Sequence, residues 1–413
     1  MGKPAPGSRG YIRAIVAAQM LAQLGAFALP ALLPGYIERW ALSKTEAGWL
    51  VGIFFAAYVV MVPVLVAFTD RVPVRRIYLL GTGLTALSHF GFALFADGFW
   101  SAFLFRVLAG IGWAGTYMPG LKAIADPLDG TAQSRAVSWH AGGVGISGAA
   151  SFSIAGLIGN WAGPSAAFLL GGGAAVAAVI LALVVMPAAI AKPAAGAQSR
   201  RLLDFRPVFR NRAAMGWIAG YTVHTLELAA LRAWGVTFLA MVVATKGAPS
   251  WLPDPTVLFT VAGFVGIVVS ITGNETAQRW GRARVVTAAM SAAAALSVIT
   301  GWTGNISALV ATLFVIAWNA AIYFDSSALT AGTVQAAGKE LRGATMGLHS
   351  MCGYAGGCIG PLGVGLVLDL AGNDSALGWG LAFGHIALFT VIGLAVLRWV
   401  GRSAQVPALA AAD

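Results

Sequence analysis

Long apolar runs alternate with short polar or turn-forming stretches along the whole chain. A helix needs about 20 apolar residues to cross a bilayer, because each residue adds about 1.5 Å to its length. Twelve of the runs come roughly to that length. The pattern predicts an all-α membrane protein whose twelve transmembrane helices cover residues 12–36, 45–68, 77–96, 99–122, 136–160, 164–190, 212–243, 256–276, 285–302, 306–329, 343–369 and 377–399.

The longest polar interruption runs from Lys192 to Arg212 and leaves six predicted helices on each side. Two pseudo-symmetric six-helix halves with the same orientation are a known layout of secondary transporters. The predicted domains are an N-terminal six-helix bundle over residues 1–190, a cytoplasmic linker over 191–212 and a C-terminal six-helix bundle over 213–413. Within the first half, Ser43 followed by Glu46 predicts a capping box that opens the second helix.

Composition agrees with a membrane protein, since 58% of the 413 residues are hydrophobic and only 10% are charged. The distribution of the 26 lysines and arginines then predicts orientation. With the N-terminus inside, only Arg39, Lys44 and Lys246 fall outside, Arg106 and Arg232 lie within helices, and the other 21 face the cytoplasm. We expect a multi-pass protein of the cell (inner) membrane with both termini cytoplasmic. The net charge of +11 therefore needs no nucleic-acid partner.

The loop between the second and third predicted helices concentrates charge in Asp70, Arg71, Arg75 and Arg76. It resembles the signature loop of the major facilitator superfamily, Gly-x-x-x-Asp-Arg-x-Gly-Arg-Arg/Lys. The resemblance implies a gating loop in which Asp70 and Arg71 form contacts that exist in one access state and break in the other. For Arg75 and Arg76, enforcement of topology is the better explanation.

Two positions of this loop depart from the family pattern, because Val66 and Pro73 replace its two glycines. Two further segments resemble family motifs. Residues 106–112 match Arg-x-x-x-Gly-x-Gly in the fourth helix, and residues 356–363 match the Gly-Pro bend of the eleventh. The resemblance covers the whole chain in architecture and implies a transporter that works by alternating access.

The family lines its central cavity mainly with the first, fourth, seventh and tenth helices. The resemblance therefore implies a substrate-binding or coupling set within and beside these helices: Arg106, Trp113, Tyr117, Tyr221, His224, Glu227, Arg232, Trp318, Asn319 and Asp325. Packing is the alternative role for the two tryptophans, and helix pairing is the alternative for Arg106. Asp325 and Lys122 lie near the inner ends of their predicted helices, where snorkelling to the interface is the alternative to substrate contact.

Glu227 is the best candidate for a proton carrier, because a carboxylate near the middle of a membrane helix is costly unless it is protonated or paired. The alternative is a structural ion pair with another helix. A pair with Arg232 along the same helix is not expected, because at 100° per residue the two side chains point to different faces.

Together these features predict proton-coupled uptake, or symport, of a small polar or anionic solute. The alternative is proton-driven efflux of a hydrophobic or cationic compound. The expected partners are a small-molecule substrate, protons and membrane lipids. No enzymatic activity, cofactor or metal is expected, since the sequence shows no ATP-binding loop and no interfacial cluster of acids, histidines or metal ligands.

Overall fold

The computed structural model describes residues 4–188, 205–338, 340–372 and 374–409, and all regular structure in these ranges is helical. One short 3₁₀ helix covers Gly301–Asn305. The α-helices are α1 (Arg9–Ala22), α2 (Ala28–Arg39), α3 (Lys44–Phe68), α4 (Val74–Phe95), α5 (Phe99–Ala125), α6 (Gly130–Ala162), α7 (Pro164–Val185), α8 (Arg206–Arg210), α9 (Arg212–Lys246), α10 (Pro255–Trp280), α11 (Arg282–Thr300), α12 (Ala308–Ala336), α13 (Arg342–Leu370), α14 (Ala376–Gly384) and α15 (Ile386–Leu409).

Ten helical segments of the described chain are long and apolar enough to cross a membrane, with α11 and the 3₁₀ helix counted together and α14 and α15 counted together. Two further crossings complete the predicted set. One is α1 with α2, and the other is α5, which has 27 residues but carries Arg106 and Lys122. The twelve-helix fold class is thus confirmed, and the capping box is present as well: Ser43 N–H donates to Glu46 Oε2 at 2.8 Å, and Glu46 N–H donates to Ser43 Oγ at 3.1 Å.

The first predicted helix is wrong in one respect, because the chain unwinds between α1 and α2. Pro30 explains the break: in a continuous helix it would remove the hydrogen bond to the Ala26 carbonyl and clash with it, whereas in the first turn of α2 it is tolerated. Two serines of α6 form hydrogen bonds with backbone groups on the two sides of this break. Ser147 Oγ donates to the Met20 carbonyl at 2.6 Å, and Ser151 Oγ accepts from Phe27 N–H at 3.0 Å.

The helices group into two compact units, which we describe separately. Unit 1 contains the described residues within Met1–Trp40, Ile53–Ser199 and Phe259–Phe264, and unit 2 contains those within Ala41–Gly52, Arg200–Leu258 and Val265–Asp413. Of the predicted linker, residues 191–204 lie outside the described residues, as do Lys3 and Lys339 of the charge argument. The predicted bundle boundaries therefore stay a prediction.

Close backbone approach holds unit 1 together where α4 crosses α5. A Cβ atom added at Gly81 would lie 2.4 Å from the carbonyl carbon of Gly115, so no larger residue fits without movement of a helix. Membrane helices associate through such small residues, because lipid supplies no hydrophobic drive between them. The same helix offers a contrast at Gly83, where an added Cβ would meet nothing within 4 Å.

We predict that Gly81→Ala lowers the thermal stability of the detergent-purified protein, with a loss of roughly 1–3 kcal/mol, the usual scale of overpacking. Gly83→Ala is the matched control and should keep or slightly raise the melting temperature, since alanine favours helix more than glycine does. Equal melting temperatures for the two variants would contradict this account of the α4–α5 contact.

Candidate functional site

Two buried ionisable side chains of unit 2 meet across the contact of α9 with α12. His224 Nδ1 lies 2.7 Å from Asp325 Oδ1, and the two residues are 3% and 2% exposed. Ionisable groups at membrane depth are costly, and they persist when a partner of opposite charge or a hydrogen bond compensates. The contact therefore binds the two candidate residues into one site.

The position expected for Asp325 at the helix end is wrong. The predicted tenth helix stops at residue 329, whereas α12 continues to Ala336 and leaves Asp325 well inside it. The helix continues through the polar residues beyond Asp325. Their hydroxyls can donate hydrogen bonds to carbonyls of the preceding turn, as Thr333 Oγ1 does to the Leu329 carbonyl at 3.1 Å. Snorkelling therefore does not describe Asp325.

Glu227 lies on α9 one turn beyond His224 and is also buried. Trp318 Nε1 of α12 donates a hydrogen bond to Glu227 Oε1 at 2.6 Å, and the Thr390 hydroxyl of α15 also bonds the carboxylate. Both partners are neutral. Trp318 thus packs in the core and also hydrogen-bonds the acid, and its contact with substrate stays a prediction.

Arg232 contacts Tyr323 of α12. Its guanidinium donates a hydrogen bond to the Tyr323 hydroxyl, and its Cζ lies 5.6 Å from the centre of the Tyr323 ring. Asn319, one turn away on the same helix, is buried. The contact of α9 with α12 therefore carries six of the ten predicted binding residues.

Tyr221 joins a histidine of α13 to this cluster. Its ring stacks on His349 at 3.7 Å between centroids and on His224 at 5.6 Å. His349 is buried and its Nδ1 lies 3.1 Å from the Thr333 hydroxyl. His349 was not among the predicted site residues, because the sequence places it on the eleventh helix and gives no sign of its distant neighbours.

In unit 1, Arg106 is buried and is 3% exposed. Its Cζ lies 4.8 Å from the centre of the Phe54 ring, which Trp113 contacts edge-on at 5.3 Å. Trp113 stacks on Tyr117 at 6.4 Å between centroids. The arrangement is typical of a cation–π contact, which is stronger when water is excluded.

The predicted gating loop of unit 1 forms a specific contact. Asp70 Oδ1 lies 2.5 Å from Lys122 Nζ, which also donates to the Thr69 hydroxyl at 3.0 Å. Lys122 is therefore the partner of Asp70 at this end of α5. Partial burial raises the pKa of the nearby Asp126 carboxyl above its usual value. The positive charge of Lys122 opposes this shift, and the negative charge of Asp70 adds to it.

Arg75 does more than mark topology, because its Nη2 donates to the Leu183 carbonyl at 3.0 Å in the last turn of α7. Cations near the carbonyl end of a helix interact favourably with its dipole. Arg71 and Arg76 are exposed at the surface of unit 1. In unit 2, Arg282 at the start of α11 donates to the Ala328 carbonyl inside α12 at 2.9 Å.

Comparison with known proteins gives the family. The model described as Major Facilitator Superfamily matches residues 15–361. A bacterial homologue of the human lysosomal transporter Spinster, crystallised inward-facing and occupied, is similar at TM-score 0.78 and 17% identity, over 97% of this chain and 98% of that chain. The nucleoside transporter NupG is similar at TM-score 0.74 and 14% identity, over 94% and 98%.

No curated protein sequence matches the chain. Identities of this size show the fold alone, whereas the family model spans most of the sequence. Apolar helices, a polar cluster at membrane depth and the signature loop agree with that match. The protein therefore belongs to the Major Facilitator Superfamily and is a multi-pass membrane transporter.

Proposed function

We propose that the protein couples proton movement to the uptake of a small polar or anionic solute by alternating access. The observation that carries the proposal is Glu227, a buried carboxylate on a transmembrane helix whose partners, Trp318 and Thr390, are both neutral. A charged carboxylate without a cation is costly at that depth. Protonation removes the cost, and a group with this property is suited to carry a proton.

Charge counting favours Glu227 over its neighbours as the site of net protonation. The His224–Asp325 pair is neutral wherever its shared proton lies, so an ionised Glu227 gives these three buried residues one net negative charge. One added proton makes the three residues neutral, while Arg232 of the same helix contact is partly exposed. The structural alternative, in which Glu227 only anchors Trp318, makes transport independent of that proton.

The proposed substrate class rests on Arg106 and Arg232. Each guanidinium lies against an aromatic ring, Phe54 in unit 1 and Tyr323 in unit 2. A guanidinium binds an anion through charge-assisted hydrogen bonds. Trp113 and Tyr117 add aromatic surface for the apolar part of a small solute.

We also propose that Asp70 acts as a latch with Lys122 at the cytoplasmic end of α5, in a protein of the cell (inner) membrane with both termini cytoplasmic. A contact of 2.5 Å between partly exposed groups can break and re-form without exposing a bare charge to lipid. This property suits a contact that changes with the access state.

The first test replaces the proposed proton carrier. Glu227→Gln mimics the protonated acid permanently, so it should abolish accumulation of solute driven by a pH gradient in reconstituted vesicles. It should preserve exchange of labelled for unlabelled solute, since the binding side chains remain. The solute is first identified by thermal-shift screening of small carboxylates, inorganic anions, nucleosides and lipophilic cations.

Glu275→Gln is the matched control, because Glu275 is an exposed carboxylate in α10. It should accumulate solute as the wild type does. Full accumulation by Glu227→Gln under an imposed pH gradient would contradict the carrier role and leave Glu227 as an anchor of Trp318.

The second test concerns substrate charge. Arg106→Gln and Arg232→Gln should each weaken binding of an anionic solute by about 1.5–3 kcal/mol, the scale for hydrogen bonds to charged groups. Isothermal titration of purified protein measures the change, with the exposed Arg39→Gln as control. Unchanged affinity in both variants would favour the efflux alternative.

The third test concerns the latch. Asp70→Asn should slow transport several-fold while the protein still inserts and folds, because the substitution removes one contact and no helix. Exchange of the two charges, Asp70→Lys with Lys122→Asp, should restore part of the rate. Asp129→Asn is the control, since Asp129 is exposed and makes no capping hydrogen bond. A normal rate for Asp70→Asn would rule out the latch.

A further inference from the structure

An open groove on unit 1 runs along the first half of α6 beside α1. It has a volume of about 420 Å³, and its lining on α1 is Val16 and Met20. On α6 it is lined by Ser134, Arg135, Ser138, Trp139, Gly142, Gly143 and Ile146. The groove is therefore polar at the start of α6 and apolar farther along the helix.

The polar end carries an unpaired cation. Arg135 is exposed and makes no hydrogen bond or ion pair with any residue in the described part of the chain. Ser134 is exposed beside it, and Trp139, one turn farther along, is 70% exposed. Tryptophan side chains at such positions belong to the headgroup level of a bilayer. The Arg135 guanidinium is thus available to a phosphate at that level.

The whole groove is about as long as one lipid chain. From Ser134 to Ile146 α6 rises about 18 Å at 1.5 Å per residue, and one leaflet contributes about 15 Å to the hydrocarbon core. Gly142 leaves the apolar end open, since a Cβ added there would meet nothing within 4 Å. A deeper side is closed by α1, because a Cβ at Gly143 would lie 2.9 Å from Val16 Cγ1.

We propose that this groove binds an anionic glycerophospholipid, with the phosphate and headgroup on Arg135 and one acyl chain along Gly142 and Ile146. Arginine pairs with phosphate oxygens through two parallel N–H donors, which lysine cannot do. The groove takes a lipid and not a soluble anion, because all but its outer end is apolar and lies on a membrane-spanning helix. The bound lipid covers the α1–α6 seam beside the break between α1 and α2.

The test uses the full-length protein, purified and delipidated in detergent, with added phosphatidylglycerol or phosphatidylcholine of identical chains. Phosphatidylglycerol should raise the melting temperature of the wild type more than phosphatidylcholine does, and the difference should shrink with added salt. Arg135→Gln should bind phosphatidylglycerol about fivefold more weakly, the scale of one basic side chain beside an anionic lipid surface. Arg135→Lys should fall between the two.

Gly142→Leu tests the apolar end independently, because the new side chain fills the groove without a clash at Cβ. It should reduce retention of both lipids, measured by native mass spectrometry. The matched controls are Arg210→Gln, an exposed arginine of unit 2, and Gly173→Leu, an exposed glycine of α7 with nothing within 4 Å of an added Cβ. Both controls should behave as the wild type.

Equal stabilisation of the wild type by the two lipids would overturn the assignment of an anionic headgroup. Retention of both lipids by Gly142→Leu at the wild-type level would overturn the assignment of the chain to this groove. If Arg135→Gln does not fold, Arg135→Lys and Gly142→Leu still decide the question.

Discussion

Inside a bilayer no water is available to buried polar groups, so each of them needs a partner within the protein. This constraint accounts for the contacts on which the structure depends. Serine hydroxyls of α6 bond the backbone left open between α1 and α2. Trp318 donates to Glu227, His224 meets Asp325, and buried charge is found where another helix supplies a compensating group.

The two units satisfy the constraint in different ways. Unit 2 holds its buried acids by an indole, a hydroxyl and a histidine. Unit 1 buries Arg106 against Phe54, a ring that cannot take up or release a proton at all. The buried acids of unit 2 and the buried arginine of unit 1 are thus compensated by different kinds of group.

The sequence predicted the features that depend on residues close together along the chain, such as the positions and starts of helices. Apolar run length located the twelve helices, and the Ser43–Glu46 spacing located a helix start. It could not predict contacts between distant segments, such as His224 with Asp325 or Asp70 with Lys122, because pairing across helices depends on their packing. Pro30 was a readable signal for the break before α2 that run length alone overlooks.

The start of α3 shows what such distant pairing implies for motion. Within unit 2, Asp369 of α13 accepts hydrogen bonds from the backbone N–H groups of Lys44 and Thr45 at 2.9 and 2.8 Å, and Lys44 Nζ lies 2.9 Å from Asp374. The α3 terminus is thus capped by a residue far away in sequence. If the start of α3 separated from Asp369 and Asp374, the N–H groups of Lys44 and Thr45 and both carboxylates would lose their partners. Water would have to replace those partners, so this contact can break only as water enters it.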